Sequence, residues 1–192
     1  MPLRAFLAAL LCTLGGAPAP APASSPAKAS SPITEKNWRT HPRIVEIRSL
    51  VKANEAAIRS GKWRGEVRDC ESRDPSRRMD AMAFRDRRGR IRKYTTSDGT
   101  DDSAYRIEHQ YDGRGRLRFV LAKSGAFNFS VLTYRIYFDV HGEEIWRDEE
   151  STGPGYTFLR PPDFPDASLI RDPVKDLARP LRCDSDSARN PT

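Results

Sequence analysis

Phe84-Arg85-Asp86-Arg87-Arg88-Gly89-Arg90-Ile91, Tyr111-Asp112-Gly113-Arg114-Gly115-Arg116-Leu117 and Phe138-Asp139-Val140-His141-Gly142-Glu143-Glu144-Ile145 are three spellings of one turn. An aromatic residue leads in, Asp and Gly stand three apart, and an aliphatic residue leads out, with the Asp residues 26 and 27 positions apart. Asp suits the first position of a tight turn, and Gly supplies the positive φ that lets the chain reverse. These are hairpin tips, and they predict an antiparallel meander.

The segments between and around the tips read as strands: Trp63 to Cys70, Met79 to Arg85, Arg90 to Thr96, Ala104 to Tyr111, Arg116 to Lys123, Phe129 to Phe138 and Glu144 to Glu150. Alternation is clearest in Tyr105, Ile107, His109 and Tyr111, and in Leu117, Phe119 and Leu121, so one face is expected to be buried and the other largely polar. Upstream, Thr40 serves as a candidate N-cap, Pro42 fits the first turn of a helix and Gly61 supplies its stop. Ile44, Ile47, Leu50, Val51, Ala57 and Ile58 fall on one face of that helix. Only the meander can cover this stripe, so the fold class is α+β: one N-terminal helix packed on a curved antiparallel β-meander of about six to seven strands.

Residues 1–23 carry one charge at Arg4, an apolar run from Ala5 to Leu14 and the small triplet Ala21-Pro22-Ala23, the layout of a secretory signal peptide. The run is shorter than the roughly 20 residues a membrane-spanning helix needs, and Leu11 argues against lipidation of Cys12. Residues 24–39, rich in Pro, Ala and Ser, read as a disordered linker, and 40–185 as a single domain with an irregular tail. The tail is rich in Pro but carries Phe158, Leu159, Phe164, Leu169 and Ile170, too apolar to hang free, so it is expected to wrap the sheet. Beyond the leader only Cys70 and Cys183 remain, and in the periplasm or outside the cell such a pair reads as one disulfide pinning the tail.

The unit Tyr111-Asp112-Gly113-Arg114-Gly115-Arg116-Leu117 resembles the repeat of bacterial YD (Rhs-type) and MORN-like β-hairpin proteins, over residues 79–150. Gly-Arg is kept in the first two units, whereas the third has Gly142-Glu143-Glu144-Ile145. The resemblance implies a shell or interaction scaffold and transfers no catalytic residue, which favours a binding role over an enzymatic one.

The formal net charge is +7, or +6 without Arg4, and most of the positive charge is arginine. An exported basic protein points to an anionic envelope component or protein as partner, and its compartment argues against nucleic acid. Alternate turns of a meander share one end, so all three tips should line one edge. Arg87, Arg88 and Arg90 at the first tip and Arg114, Arg116 and Arg118 at the second are the candidate binding residues, suited to bidentate contacts with phosphate or carboxylate. Charged tips also keep sheet edges soluble, which is the competing explanation. A rival reading is a carrier with an apolar ligand in a trough between helix and sheet, drawing on the many aromatic residues.

No metal or cofactor is expected. In the acidic loop Ser97-Asp98-Gly99-Thr100-Asp101-Asp102, Tyr94 and Thr96 stand where an EF-hand needs carboxylates. The histidines, His41, His109 and His141, have no Ser or Cys nucleophile tied to them, and no hydrolase motif occurs. An unrecognised hydrolase is the third reading.

Overall fold

The computed structural model describes residues 31–71, 78–99, 102–154 and 165–181. Every described element lies in the compact unit that begins at Ile33. Cys12, Cys183 and the side chain of Cys70 are outside the described residues, and so is the expected disulfide.

Helix α1 (Pro42–Arg59) precedes seven strands: β1 (Arg64–Glu71), β2 (Arg78–Arg85), β3 (Ile91–Gly99), β4 (Ser103–Tyr111), β5 (Leu117–Ala126), β6 (Val131–Phe138) and β7 (Glu144–Thr152). They form one open sheet in sequence order, each antiparallel to the next. A short 3₁₀ turn (Asp166–Ser168) and helix α2 (Pro173–Leu177) complete the described chain. This is the α+β meander that the turn spacing predicts, with each strand boundary within three residues of its expected place.

Strand register sorts the side chains onto two faces. Tyr94 pairs with His109, His109 with Val120, and Val120 with Ile136, so these share one face with Ala83, Ile107, Tyr111, Ala122 and Tyr134. Lys93, Gln110, Phe119, Tyr137 and Trp146 are matched in the same way on the other.

Both faces are buried, which corrects the expectation of one polar face. The Tyr94–His109 face forms the larger apolar cluster and is covered by Leu169, Ile170, Leu177 and Leu181 of the tail. Helix α1 takes the other face, where Ile44 and Ile47 are fully buried with Trp38, Phe119 and Tyr137. The most regular alternation in the sequence is thus covered by its least regular segment. Strand β5 records this double burial locally, since Leu117, Arg118, Phe119 and Val120 are buried in succession.

Two details at the helix differ from the sequence reading. The N-cap is His41, whose Nδ1 accepts from the Arg43 amide at 3.3 Å. Thr40 is drawn instead into the preceding turn, where its hydroxyl donates to the Asn37 carbonyl. That turn belongs to the fold and not to a linker. Trp38 is buried, stacked on Trp146 with ring centroids 5.9 Å apart, and tilted against Tyr137 at 6.2 Å. The linker reading of 24–39 therefore runs too far, because one aromatic ring anchors the chain before the helix begins. Along the helix the buried stripe includes Asn54, a polar residue, whereas Leu50, Val51, Ala57 and Ile58 are only half-buried.

Candidate functional site

The three tips are one structure repeated. In each, the Gly amide donates to the Asp carbonyl (2.9 Å at Gly89, 3.1 Å at Gly115, 3.3 Å at Gly142), and the Asp amide donates to the carbonyl four residues on. Gly89, Gly115 and Gly142 have φ of 76°, 80° and 87°, which an L side chain adopts only under strain. A register shift sits at the same place beside every tip, between Phe84 and Arg85, Gln110 and Tyr111, and Tyr137 and Phe138. Each is a tight turn closed by a Gly bulge.

The Asp side chain makes this turn more than permissive. Its Oδ1 accepts from the amides two and four residues on: Arg88 and Arg90 at Asp86, Arg114 and Arg116 at Asp112, and His141 and Glu143 at Asp139. Burial pushes these carboxyls up, but the amides and the nearby cations together hold all three below the ordinary Asp value.

By topology the three tips share one end of the sheet, with neighbouring tips two strands, or about 10 Å, apart. Their arginines divide into two kinds. Arg90 and Arg116, just after the Gly, fold back onto their own turn Asp at 3.2 and 2.6 Å. Arg116 also donates to the Val140 carbonyl and so ties the second tip to the third. Arg118 is buried, donating to the Phe138 carbonyl and reaching Glu46 of α1 at 3.1 Å. Arg87, Arg88 and Arg114, which occupy the turns themselves, are exposed and have no acidic partner among the described residues. Of the six arginines the sequence nominates, the structure presents these three outward and uses the other three to hold the tips together.

Behind the first tip lies a polar layer that sequence reasoning missed. The amide of Asn54 donates to Gln110 Oε1 at 2.9 Å, and Gln110 in turn donates to Glu55 at 2.7 Å. Lys93, itself buried, bridges Glu55 at 2.7 Å and Glu108 at 2.8 Å. Arg92 connects this layer to the turn through Asn54 and Asp86. The network fixes the C-terminal half of α1 on the sheet and braces the base of the first tip. No periodicity in the sequence announces it, because the partners it joins between α1 and the strands lie 38 to 56 residues apart.

The opposite face has a cleft of about 450 Å³ between β2–β4 and the tail, lined by Tyr105, Ile107, Leu169, Ile170, Lys175 and Asp176 among others. The carrier reading expects a trough between helix and sheet, but Trp38, Ile44, Ile47, Phe119 and Tyr137 pack that interface. The histidines stay apart. His41 caps α1, His141 is exposed on the third tip, and His109 is completely buried beneath the tail. Among the described residues no group of three or more His, Cys, Asp or Glu side chains is placed to hold a metal ion, and no helix is long and apolar enough to cross a membrane. No known protein family, curated protein or solved structure matches this chain.

Proposed function

We propose that the protein is an exported, periplasmic or extracellular, non-catalytic binding module that engages an anionic surface or protein through its hairpin edge. The observation that carries the reading is the division of the arginines. Arg87, Arg88 and Arg114 project from rigid, Asp-locked turns, while their neighbours are consumed internally. A guanidinium held on a fixed turn loses little backbone freedom on binding, and its planar fork suits phosphate or carboxylate oxygens. The resemblance to YD and MORN-like hairpin scaffolds supports the same direction.

Exposed charges are screened over about 8 to 10 Å at physiological salt, so binding through this edge should be steeply salt-dependent. Retention on a sulfated-polysaccharide resin, which offers anionic groups and no bilayer, is expected to fall sharply between low and physiological ionic strength. The double variant Arg88→Glu/Arg114→Glu should abolish it with an unchanged melting temperature. Retention equal to wild type in that variant would overturn the proposal. The cleft under the tail supports a second reading, a carrier of a small amphipathic molecule. Native mass spectrometry of protein purified from its own source separates the two, since a carrier releases a defined small-molecule mass on denaturation.

A further inference from the structure

The β5–β6 hairpin is built on the same frame as the three Asp tips but without their residues. The Phe129 amide donates to the Ala126 carbonyl and the Ala126 amide to the Ser130 carbonyl, the two bonds that close every Asp tip. Ala126 stands where the others have Asp, and Phe129 where they have Gly. Phe129 adopts φ of 64°, the only described residue other than Gly with positive φ. For a bulky side chain this is a strained conformation, and such strain gathers where a chain does work.

The strain is not offset by packing of the ring, since Phe129 is 87% exposed and Phe127 is 69% exposed. The backbone beneath them is nevertheless held firmly. Asn128 Oδ1 accepts from the Ser130 amide, and Phe127 donates to the Asp102 carbonyl of the adjoining loop. Gly153 packs so closely that a Cβ there would lie 2.7 Å from Ser130 Cα. Two aromatic rings are thereby presented on a rigid convex tip, at the end of the sheet away from the arginines.

We infer that the Phe127–Phe129 tip inserts into the interfacial layer of a lipid bilayer. Its own residues, Ala126 to Ser130, carry no charge, and the exposed residues beside it at the end of β7 are Ser151, Thr152, Gly153 and Pro154. Among the described residues, the ionisable groups flanking the tip on the adjoining loop and strands, Asp102, Lys123 and Glu150, are of mixed sign, which favours a zwitterionic surface over an anionic one. Convexity points the same way. A protein partner of standard size needs about 800 Å² of complementary surface on each side, and this tip offers little apolar area beyond the two rings. A bilayer accommodates a projecting ring with no preformed pocket.

Flotation with phosphatidylcholine vesicles tests this, using the full chain and, in parallel, one beginning at Ser24. Wild type should float at both low and high salt. Phe127→Ser and Phe129→Asn should each reduce partitioning about tenfold, and Phe129→Asn should leave the melting temperature the same or higher, since Asn tolerates positive φ. In Phe127→Trp the fluorescence emission should shift to the blue on adding vesicles. Failure of wild type to float, equal flotation of the Phe127→Ser/Phe129→Asn double variant, or a marked fall in melting temperature for Phe129→Asn would each overturn the inference. So would wild-type self-association that Phe129→Asn abolishes, because the tip would then be a protein contact. Loss of anionic binding in the arginine variant leaves this result unaffected, as the two surfaces lie at opposite ends of the sheet.

Discussion

Replacing Asp112 by Ala is expected to destabilise the protein by about 3 kcal/mol, more than the same change at either sister tip. The Asp112 carboxylate is almost fully buried. Its Oδ1 accepts from the amides of Arg114 and Arg116 at 2.8 and 3.1 Å, and its Oδ2 receives Arg116 at 2.6 Å. The buried guanidinium of Arg118 stands 3.9 Å away and would keep, beside the Phe138 carbonyl, only the largely exposed Glu46 as a charged partner. Asp139 forms the same turn near solvent, facing Arg43 at 3.3 Å, so Asp139→Ala should cost about 1 kcal/mol, the scale of a lost turn cap. Urea denaturation of the two variants separates the contributions. Equal losses would show that the amide bonds carry the whole effect and that the arginine pairing adds nothing. Asp112→Asn, which keeps the acceptor and removes the charge, should fall between Ala and wild type.

Acidification from neutral pH should weaken the fold well before the carboxylates titrate, and His109 is the reason. Its Nε2 lies 3.1 Å from the Ser168 carbonyl oxygen and 3.2 Å from the Ile170 amide nitrogen, both in the tail. A neutral ring serves one of them, donating to Ser168 or accepting from Ile170 according to tautomer. Burial pushes its pKa down from 6.5 to about 4. Hydrogen bonding and the nearby Asp176 carboxylate oppose this only in part.

Because the unfolded chain takes up this proton near pH 6.5 and the folded chain only near pH 4, the unfolded state binds more protons between those values. Stability contributed by the neutral ring is complete above pH 6.5 and is lost as pH falls through about 4, amounting to about 3 kcal/mol. Asp86, Asp112, Asp139 and Asp166, whose pKa values are lowered, lose their contributions in a separate window below the ordinary Asp value of 3.8. Urea midpoints measured from pH 7.5 to 4 should decline in wild type. In His109→Gln they should start lower and stay flat. A wild-type midpoint constant over that range would refute the assignment. In the tautomer that accepts from Ile170, protonation turns Nε2 into a donor only, so the first local change should be loss of amide-exchange protection at Ile170.

The ranking of the tips was legible in the sequence only as far as their number and place. Asp86, Asp112 and Asp139 announce themselves by spacing, because a tight turn needs a side-chain acceptor at its start and a positive φ at its end within four residues. Everything the turn does locally follows from that. Which arginine is outward is also nearly local: residues between Asp and Gly project, and the residue after Gly folds back onto the Asp. Aligning the three turns by position, and not by charge, would have separated Arg88 from Arg90. The same alignment extended to Ala126-Phe127-Asn128-Phe129-Ser130 would have exposed the fourth turn, hidden because neither Asp nor Gly marks it.

The sequence by itself determined the meander, the helix before it and the end of the sheet where the Asp tips gather, while the exact strand order came from the structure. These rest on contacts within a hairpin or a helical turn, where spacing along the chain equals proximity in space. Only the tertiary structure decided that both sheet faces are buried, that the tail and not α1 covers the Tyr94–His109 face, and that Asn54, Lys93 and Gln110 meet. It also decided that Arg118 is consumed inside while Phe129 is held outside. The physical reason is common to all of these. Burial depends on which distant segment lands on a given face, and α1 and the tail, both amphipathic, could each have covered either side until packing and hydrogen-bond satisfaction across the whole chain chose between them.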